Sequence, residues 1–121
     1  MGKIFKEVTL LGSKNKYMKL NALFDTGATY NYISKEFSNK ETIDDIGIIR
    51  FCDKDSVIFA DGNEKECNII NLKLLKIGEF RVEQPEFHLF DMKMCDVVIG
   101  AKLMQKLKIV LDPSSKEIYF I

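Results

Sequence analysis

The sequence predicts an all-β fold in a single domain, and three observations favour this fold class. Segments in which apolar and polar residues alternate, such as residues 18–22, have the period of two that is typical of strands with one buried face. Turn-forming residues separate these segments, and only residues 101–106 have clear helical spacing. The length of 121 residues fits one domain with one modest core.

The first two strand segments, residues 4–11 and 17–24, are separated by the turn-forming residues 12–16. This spacing predicts an antiparallel hairpin. The second strand leads into a loop that begins at Asp25, and a β-rich segment resumes at residues 30–33.

The next stretch carries weaker signals. Ser34 is a residue type that begins helices, so we expect one helical turn over residues 35–37. Residues 39–45 are polar and are expected to be exposed. Residues 46–51 are again β-rich, and the polar residues 52–55 are expected to interrupt that strand.

A hairpin with a well-specified turn is predicted after this interruption. Residues 56–60 carry a strand signal, and Asp61-Gly62 is a dipeptide strongly favoured in two-residue hairpin turns. The strand pattern resumes over residues 64–70. From the residues alone this segment could be any β-hairpin.

Two further hairpins are predicted in the C-terminal half. Residues 72–77 and 80–90 are expected to pair, and Pro85 indicates an edge strand or a bulge. The chain closes with residues 109–111 and 118–121, whose last strand is apolar. We expect this apolar strand to be covered by other residues, because an exposed apolar strand favours aggregation.

Composition argues against several classes of function. Lys plus Arg and Asp plus Glu each number 18, so the net charge is zero. Neutrality argues against nucleic acid or a membrane surface as the main partner. No apolar run approaches the roughly 20 residues that cross a bilayer, and the first residues lack the apolar segment of a secretion signal. Glycine-rich nucleotide loops and His-Glu-x-x-His are absent, so we expect no cofactor and no metal.

The three cysteines favour a reducing compartment, and the single histidine bears on a zinc site and on a Cys–His catalytic pair. Cys52, Cys67 and Cys95 are odd in number and include no Cys-x-x-Cys pair, so no disulfide framework is expected and a cytoplasmic location is predicted. His88 alone leaves too few ligands for a zinc site. A Cys–His catalytic pair is an alternative, but His88 lies in an ordinary strand segment.

The strongest indication of a functional site lies in residues 22–29, with Asp25-Thr26-Gly27 at their centre. The Asp25 carboxylate follows an apolar strand end, and a buried carboxylate needs a partner or a shifted pKa. Gly27 permits a close backbone approach or a positive φ, and the hydroxyls of Thr26 and Thr29 can fix the turn. The alternative, a plain surface turn, is disfavoured by the apolar residues on both sides.

Residues 22–28, Ala-Leu-Phe-Asp-Thr-Gly-Ala, resemble the active-site loop of retropepsin-type aspartic proteases from retroviruses, retrotransposons and cellular relatives. A second signature of that family, an apolar strand, a glycine and a short helix, is matched by residues 95–104. The resemblance implies one retropepsin-like domain over residues 1–121, with the acid protease barrel, one short C-terminal helix and a flap hairpin.

The resemblance implies an aspartic endopeptidase that acts on a peptide or protein substrate as a C2 homodimer. Hydrolysis by paired carboxylates needs one deprotonated and one protonated Asp. This chain has one Asp-Thr-Gly, so the second Asp25 must come from a second copy across a two-fold axis. Two alternatives stay open: a non-catalytic dimerisation or peptide-binding module on the same fold, and a generic β-domain with an incidental turn.

The resemblance also assigns roles residue by residue. Asp25, Thr26 and Gly27 match the catalytic motif, in which the threonine grips the partner loop and the glycine binds substrate backbone. Retroviral members usually carry an acidic residue where Thr29 stands, whereas retrotransposon-like and cellular members vary there. The matching substrate-binding positions are Leu23, Ala28, Thr29, Phe59, Ala60, Asp61, Gly62 and Val98.

Overall fold

The computed structural model describes residues 3–58 and 61–121. In the first half of the chain the elements are β1 (Lys3–Leu11), β2 (Tyr17–Asp25), β3 (Tyr32–Ile33), α1 (Ile43–Ile46), β4 (Arg50–Ile58) and β5 (Glu64–Asn71). In the second half they are β6 (Leu74–Ile77), β7 (Phe80–Glu83), β8 (Glu86–Leu89), β9 (Val97–Ile99), α2 (Ala101–Leu107), β10 (Ile109–Asp112) and β11 (Glu117–Phe120). Neither of these two helices is long and apolar enough to cross a membrane. The predicted β-rich fold with a short C-terminal helix is confirmed.

Within the described residues, nine strands form one sheet in the order β4-β5-β8-β3-β9-β2-β1-β6-β7, and β10 and β11 form a second, two-stranded sheet. The predicted hairpin of β1 and β2 is confirmed as an antiparallel pair. Strands β2 and β9 are parallel neighbours, with Leu23 opposite Val98. Because these two central strands are parallel, their carboxyl ends, which carry the two signature segments, lie side by side.

The core follows from the alternation of side chains along the strands. Strand β9 is buried along its whole length, as its continuous apolar run predicts. Helix α2 contributes Met104 to the core, with Leu103 and Leu107 packed beside it. The buried residues of β2 alternate with exposed or half-buried ones and are Met18, Leu20, Ala22 and Phe24.

The helical turn expected over residues 35–37 is wrong. The N–H of Ser34 donates to the carbonyl oxygen of Asp96 at 2.9 Å, and Glu36 forms an isolated β-bridge with Thr42. Ser34 is therefore a buried link between β3 and the start of β9, and it begins no helix.

The helix of this region is α1, which overlaps the segment 39–45 that was expected to be exposed. It also includes Ile46 from the expected β-rich run 46–51, of which only Arg50 and Phe51 are in a strand. The Asp45 carboxylate accepts a hydrogen bond from the N–H of Thr42 at 2.8 Å, which holds the first turn. Ile43 and Ile46 are buried and anchor this single turn on the core. The expectation that residues 39–45 are exposed is therefore wrong at Ile43.

The predicted interruption at residues 52–55 is also wrong, because β4 continues through it. The register of β4 against β5 shifts between Phe51 and Asp53, so the irregularity is a bulge at Cys52. Strand β4 lies at the edge of the sheet and is mostly exposed, so polar side chains do not end it.

The expected long strand over residues 80–90 is divided into β7 and β8. Gln84, with a φ of 48°, and Pro85 separate the two strands. Strand β7 pairs with β6 and forms one edge of the sheet, whereas β8 pairs with β5 and β3. Pro85 therefore marks the change of partner.

The predicted C-terminal hairpin is confirmed as β10 and β11, and it has two different faces. One face packs on the body of the protein, where the ring of Phe120 stacks on Phe80 with centroids 3.9 Å apart. The other face carries Val110 and Tyr119, which are opposite each other in register and are 45% and 52% exposed. The apolar strand therefore keeps an uncovered apolar face in the single chain.

Candidate active site

Asp25 is the last residue of β2 and is half-buried rather than fully buried. The N–H of Gly27 donates to Oδ1 of Asp25 at 2.9 Å, and the N–H of Ala28 donates to the Asp25 carbonyl oxygen at 3.1 Å. A Cβ at position 27 would lie 3.2 Å from that same Oδ1. Gly27 thus allows the close backbone approach that the sequence predicts, and this approach orients the carboxylate.

The second signature, residues 95–104, holds the Asp25 loop through hydrogen bonds. The N–H of Ala101 donates to the carbonyl oxygen of Ala28 at 2.6 Å, and the N–H of Gly100 donates to Oδ1 of Asn31 at 3.0 Å. The first N–H groups of a helix lack partners within the helix, so these loop oxygens satisfy them. A Cβ on Gly100 would lie 2.2 Å from the carbonyl oxygen of Tyr30. Only glycine fits at this contact, and the two signatures form one packed unit.

A cleft of about 870 Å³ opens in front of Asp25. The cleft is lined by the Asp25 loop, by the hairpin of β4 and β5, and by the segment that follows β8. Among the predicted site residues, those that line this cleft are Asp25, Gly27, Ala28, Asp61 and Val98.

The other predicted site residues lie around this cleft or away from it. Leu23 is half-buried beside Val98, and Thr26 is exposed in the turn. Gly62 lies in the hairpin turn with a φ of 83°. Thr29 borders a second cavity of about 370 Å³, together with Tyr30 and His88. The predictions for Phe59 and Ala60 lie outside the described residues.

Several cleft residues were not predicted from the sequence. Asn63 and Ile58 flank the predicted hairpin tip and could have been found by extending that assignment along the strands. Tyr32, Lys35 and the four residues from Leu89 to Met92 reach the cleft through long-range packing. No local signal marks this second group.

The cysteine thiols near the site are unsuited to nucleophilic chemistry. Burial, with the nearby carboxylates of Asp96 and Asp25, raises the pKa of the Cys95 thiol. Burial and the carboxylate of Asp55 raise the pKa of the Cys67 thiol. Both shifts favour the neutral thiol over the reactive thiolate. Within residues 3–58 and 61–121, no group of three or more His, Cys, Asp or Glu side chains is placed to hold a metal ion.

Comparisons with known proteins agree with this architecture. A family profile described as aspartyl protease matches residues 8–103. The chain is similar to the crystal structure of the retroviral protease-like domain of Ddi1 from Leishmania major, with a TM-score of 0.58 and 11% identity over 99% of this chain and 89% of that chain. It is also similar to a retropepsin-like aspartic protease from Rickettsia conorii, with a TM-score of 0.52 and 16% identity over 91% of this chain and 87% of that chain. No curated protein matches the chain. The predicted retropepsin-like fold is confirmed.

Proposed function

This chain belongs to the aspartyl protease family, and from that membership we propose that it is an aspartic endopeptidase whose active form is a homodimer with one Asp25 from each copy. The observation that carries the proposal is the position of Asp25. Its carboxylate is oriented by the N–H of Gly27 and borders a cleft that the long hairpin of β4 and β5 also lines. A chain of 121 residues with one Asp-Thr-Gly needs a second copy to supply a second such carboxylate.

In the proposed mechanism the two Asp25 side chains hold one proton between them. The protonated carboxyl donates a hydrogen bond to the scissile carbonyl oxygen, and the ionised carboxylate accepts a proton from water as the water oxygen bonds to the carbonyl carbon. Return of a proton to the amide nitrogen then allows the C–N bond to break. We propose that Gly27 and Ala28 bind substrate backbone and that Thr26, which is exposed, contacts the partner loop.

The exposed apolar face of β10 and β11 supports the homodimer. Val110 and Tyr119 are opposite each other on this face, and the adjoining Ile121 is 86% exposed. Contiguous exposed apolar side chains of this kind mark association surfaces. The absence of net charge on the chain removes long-range repulsion between two copies.

The hairpin of β4 and β5 is proposed as the flap that covers substrate. Val57, Ile58, Asp61 and Asn63 of this hairpin line the cleft that Asp25 also lines. Apolar side chains of this hairpin can pack on the substrate, whereas Leu23 and Val98 are proposed to form an apolar pocket. Thr29, Phe59 and Ala60 stay predictions as substrate contacts.

The proposal is tested by cleavage of a peptide library at several pH values with wild type and the Asp25→Asn variant. We expect cleavage to fall by at least about 100-fold in the variant, because the amide keeps the side-chain shape but cannot accept the proton. Asp44→Asn is the matched control, since Asp44 is exposed on α1 and should leave cleavage at the wild-type rate. Circular dichroism checks that both variants keep the fold.

Two outcomes would contradict the proposed activity. Residual cleavage by Asp25→Asn within tenfold of wild type would rule out the carboxylate dyad. A stable dimer that binds peptides and cleaves none of them would favour the alternative, a peptide-binding module on the same fold.

A further inference from the structure

We propose that His88 is a positioning residue that holds the base of the flap through its contact with Asp55. The inference rests on the proposed function in one respect, the role of the hairpin as a substrate cover. We call residues 56–58 and 61–66 the projecting arm and the contact of Asp55 with His88 the hinge pair. Nothing in the retropepsin-like signature of the sequence includes either residue of the hinge pair.

The hinge pair lies where the hairpin leaves the sheet. Residues 68–71 of β5 pair with residues 86–89 of β8. Among the described residues, this pairing ends at Asn68, which lies opposite Leu89. The pairing of β5 with β4 continues outward, with Cys67 opposite Asp55. Asp55 is therefore at the first position beyond the part of the hairpin that β8 supports.

The contact connects two strands that are not neighbours in the sheet. Oδ2 of Asp55 on β4 is 2.9 Å from Nε2 of His88 on β8, and β5 lies between these two strands. The His88 side chain is 5% exposed, whereas that of Asp55 is 39% exposed. A buried imidazole thus holds a carboxylate on the exposed edge strand, in addition to the backbone ladder.

The imidazole is in turn held by residues that follow the Asp25 loop. The ring of Tyr30 stacks on that of His88 with centroids 4.8 Å apart, and Tyr32 lies on it at 5.3 Å. The backbone N–H of His88 donates to the carbonyl oxygen of Asn31 at 2.8 Å. The side chain of Asn31 also accepts the hydrogen bond from Gly100, so His88 connects the base of the arm to the unit that holds Asp25.

The charges around the pair favour a hydrogen bond from the imidazole to an ionised carboxylate. The hydrogen bond from His88 lowers the pKa of the Asp55 carboxyl, which is therefore ionised throughout the neutral range. Titratable groups beside the pair include the thiol of Cys67, next to Glu66, and the phenols of Tyr30 and Tyr32. Burial raises the pKa of Cys67 and of Tyr32, which keeps both uncharged beside the carboxylate.

The first test uses His88→Phe, which keeps an aromatic ring for Tyr30 and removes the hydrogen bond to Asp55. Amide hydrogen exchange is measured on the full chain by NMR. We expect exchange in the projecting arm to accelerate several-fold, while the paired residues 68–71 of β5 keep their protection. Asp53→Asn is the control, because Asp53 is an exposed carboxylate on the same strand that bonds the neighbouring N–H of Lys54. It should leave arm exchange unchanged.

A second variant, Asp55→Ala, tests the same contact if His88→Phe fails to fold. Asp55→Ala leaves the buried imidazole in place and changes only the half-exposed partner, and we expect the same faster exchange of the arm. In a folded His88→Phe protein, the pKa of Asp55 read from its carboxyl carbon shift should rise from its lowered value. In cleavage assays both variants should lose several-fold in kcat/KM, mainly through a higher KM, because the arm closes less readily on substrate.

The outcomes separate the hinge from the proposed function. If wild type cleaves nothing, the exchange experiment still decides the hinge, because it requires no substrate. Unchanged arm exchange in both variants would overturn the inference. Faster exchange spread equally over the arm and the β5–β8 ladder would also overturn it, since His88 would then be only a core residue.

Discussion

At Gly100 a single missing methyl group determines how the two signature segments fit together. The carbonyl oxygen of Tyr30 would lie 2.2 Å from a Cβ at this position, and backbone atoms cannot move away as a flexible side chain can. Because the neighbouring N–H of Ala101 holds the carbonyl of Ala28, a shift here is transmitted to the loop that carries Asp25.

Gly100→Ala is therefore expected to lower both stability and cleavage. Forcing the loop away should cost about 1–3 kcal/mol in the free energy of unfolding, measured by urea denaturation, and should reduce kcat by displacing Asp25. Gly78→Ala is the matched control: Gly78 has a φ of 58° with open space around it, so alanine there should cost about 1 kcal/mol of backbone strain and leave kcat unchanged. Wild-type stability and kcat in Gly100→Ala would contradict the close approach.

Sequence patterns identified the residues whose roles depend on their chain neighbours, and missed those whose partners are distant. Asp25 and Gly27 interact within one turn, so a short motif carries the information. Asp55 and His88 contact each other across an intervening strand, and the sequence around either residue has no local pattern that predicts this contact. His88 was interpreted as part of an ordinary strand, with a Cys–His pair as the alternative, and its carboxylate partner depends on the register of three strands.

Among the elements, the strands with clear alternation were predicted well and the irregular ones were not. Strand β2 has an apolar residue at every second position, which defines both its existence and its buried face. Helix α1 is one turn held by Thr42 and Asp45, too short for any periodicity to appear. Strand β4 is mostly exposed, so its polar residues resemble a loop although the ladder with β5 continues.

The hairpin of β4 and β5 is expected to respond to substrate. Among the described residues, strand β8 pairs with this hairpin from Asn68 to Asn71 and not farther out, so the outer amides should exchange faster than those of the Asp25 loop. Binding of a peptide analogue with a hydroxyl at the scissile position should slow exchange at Val57, Ile58, Asp61 and Asn63. Unchanged protection of these amides in the complex would remove the flap assignment. Asp45 on α1 provides an internal reference whose exchange should not change.

For the whole molecule, the single chain presents half of the proposed site and an uncovered apolar face. One Asp25 borders the cleft, and the exposed side of the C-terminal hairpin carries Val110 and Tyr119. The count of Asp-Thr-Gly motifs indicated the need for a second copy from the sequence alone. The shape of the cleft in the proposed dimer was not predictable from the sequence, because it would depend on how the sheets of two copies meet.

The whole-molecule prediction links protonation to assembly. Two carboxylates about 3 Å apart cannot both ionise, so the proposed dimer keeps one proton between them. The shared proton raises the upper pKa of the pair above the ordinary Asp range of about 4, so dimerisation is expected to take up a proton in the window between that range and the upper pKa of the pair. By linkage, the dimer is favoured at the acidic end of this window and its dissociation constant rises by up to about tenfold per pH unit across it.

Because other groups also titrate, the test compares two proteins over the same pH range. We would measure the dimer dissociation constant of wild type and Asp25→Asn by analytical ultracentrifugation from about pH 4.5 to 7.5, which spans the expected window. The amide removes both the repulsion and the shared proton, so the variant should lack the extra loss of affinity that wild type shows as the pH rises. Cleavage by wild type should decline over the same interval, since the protonated carboxyl is lost. Parallel dissociation curves would mean that the two Asp25 side chains do not meet, and the proposed dyad would be wrong.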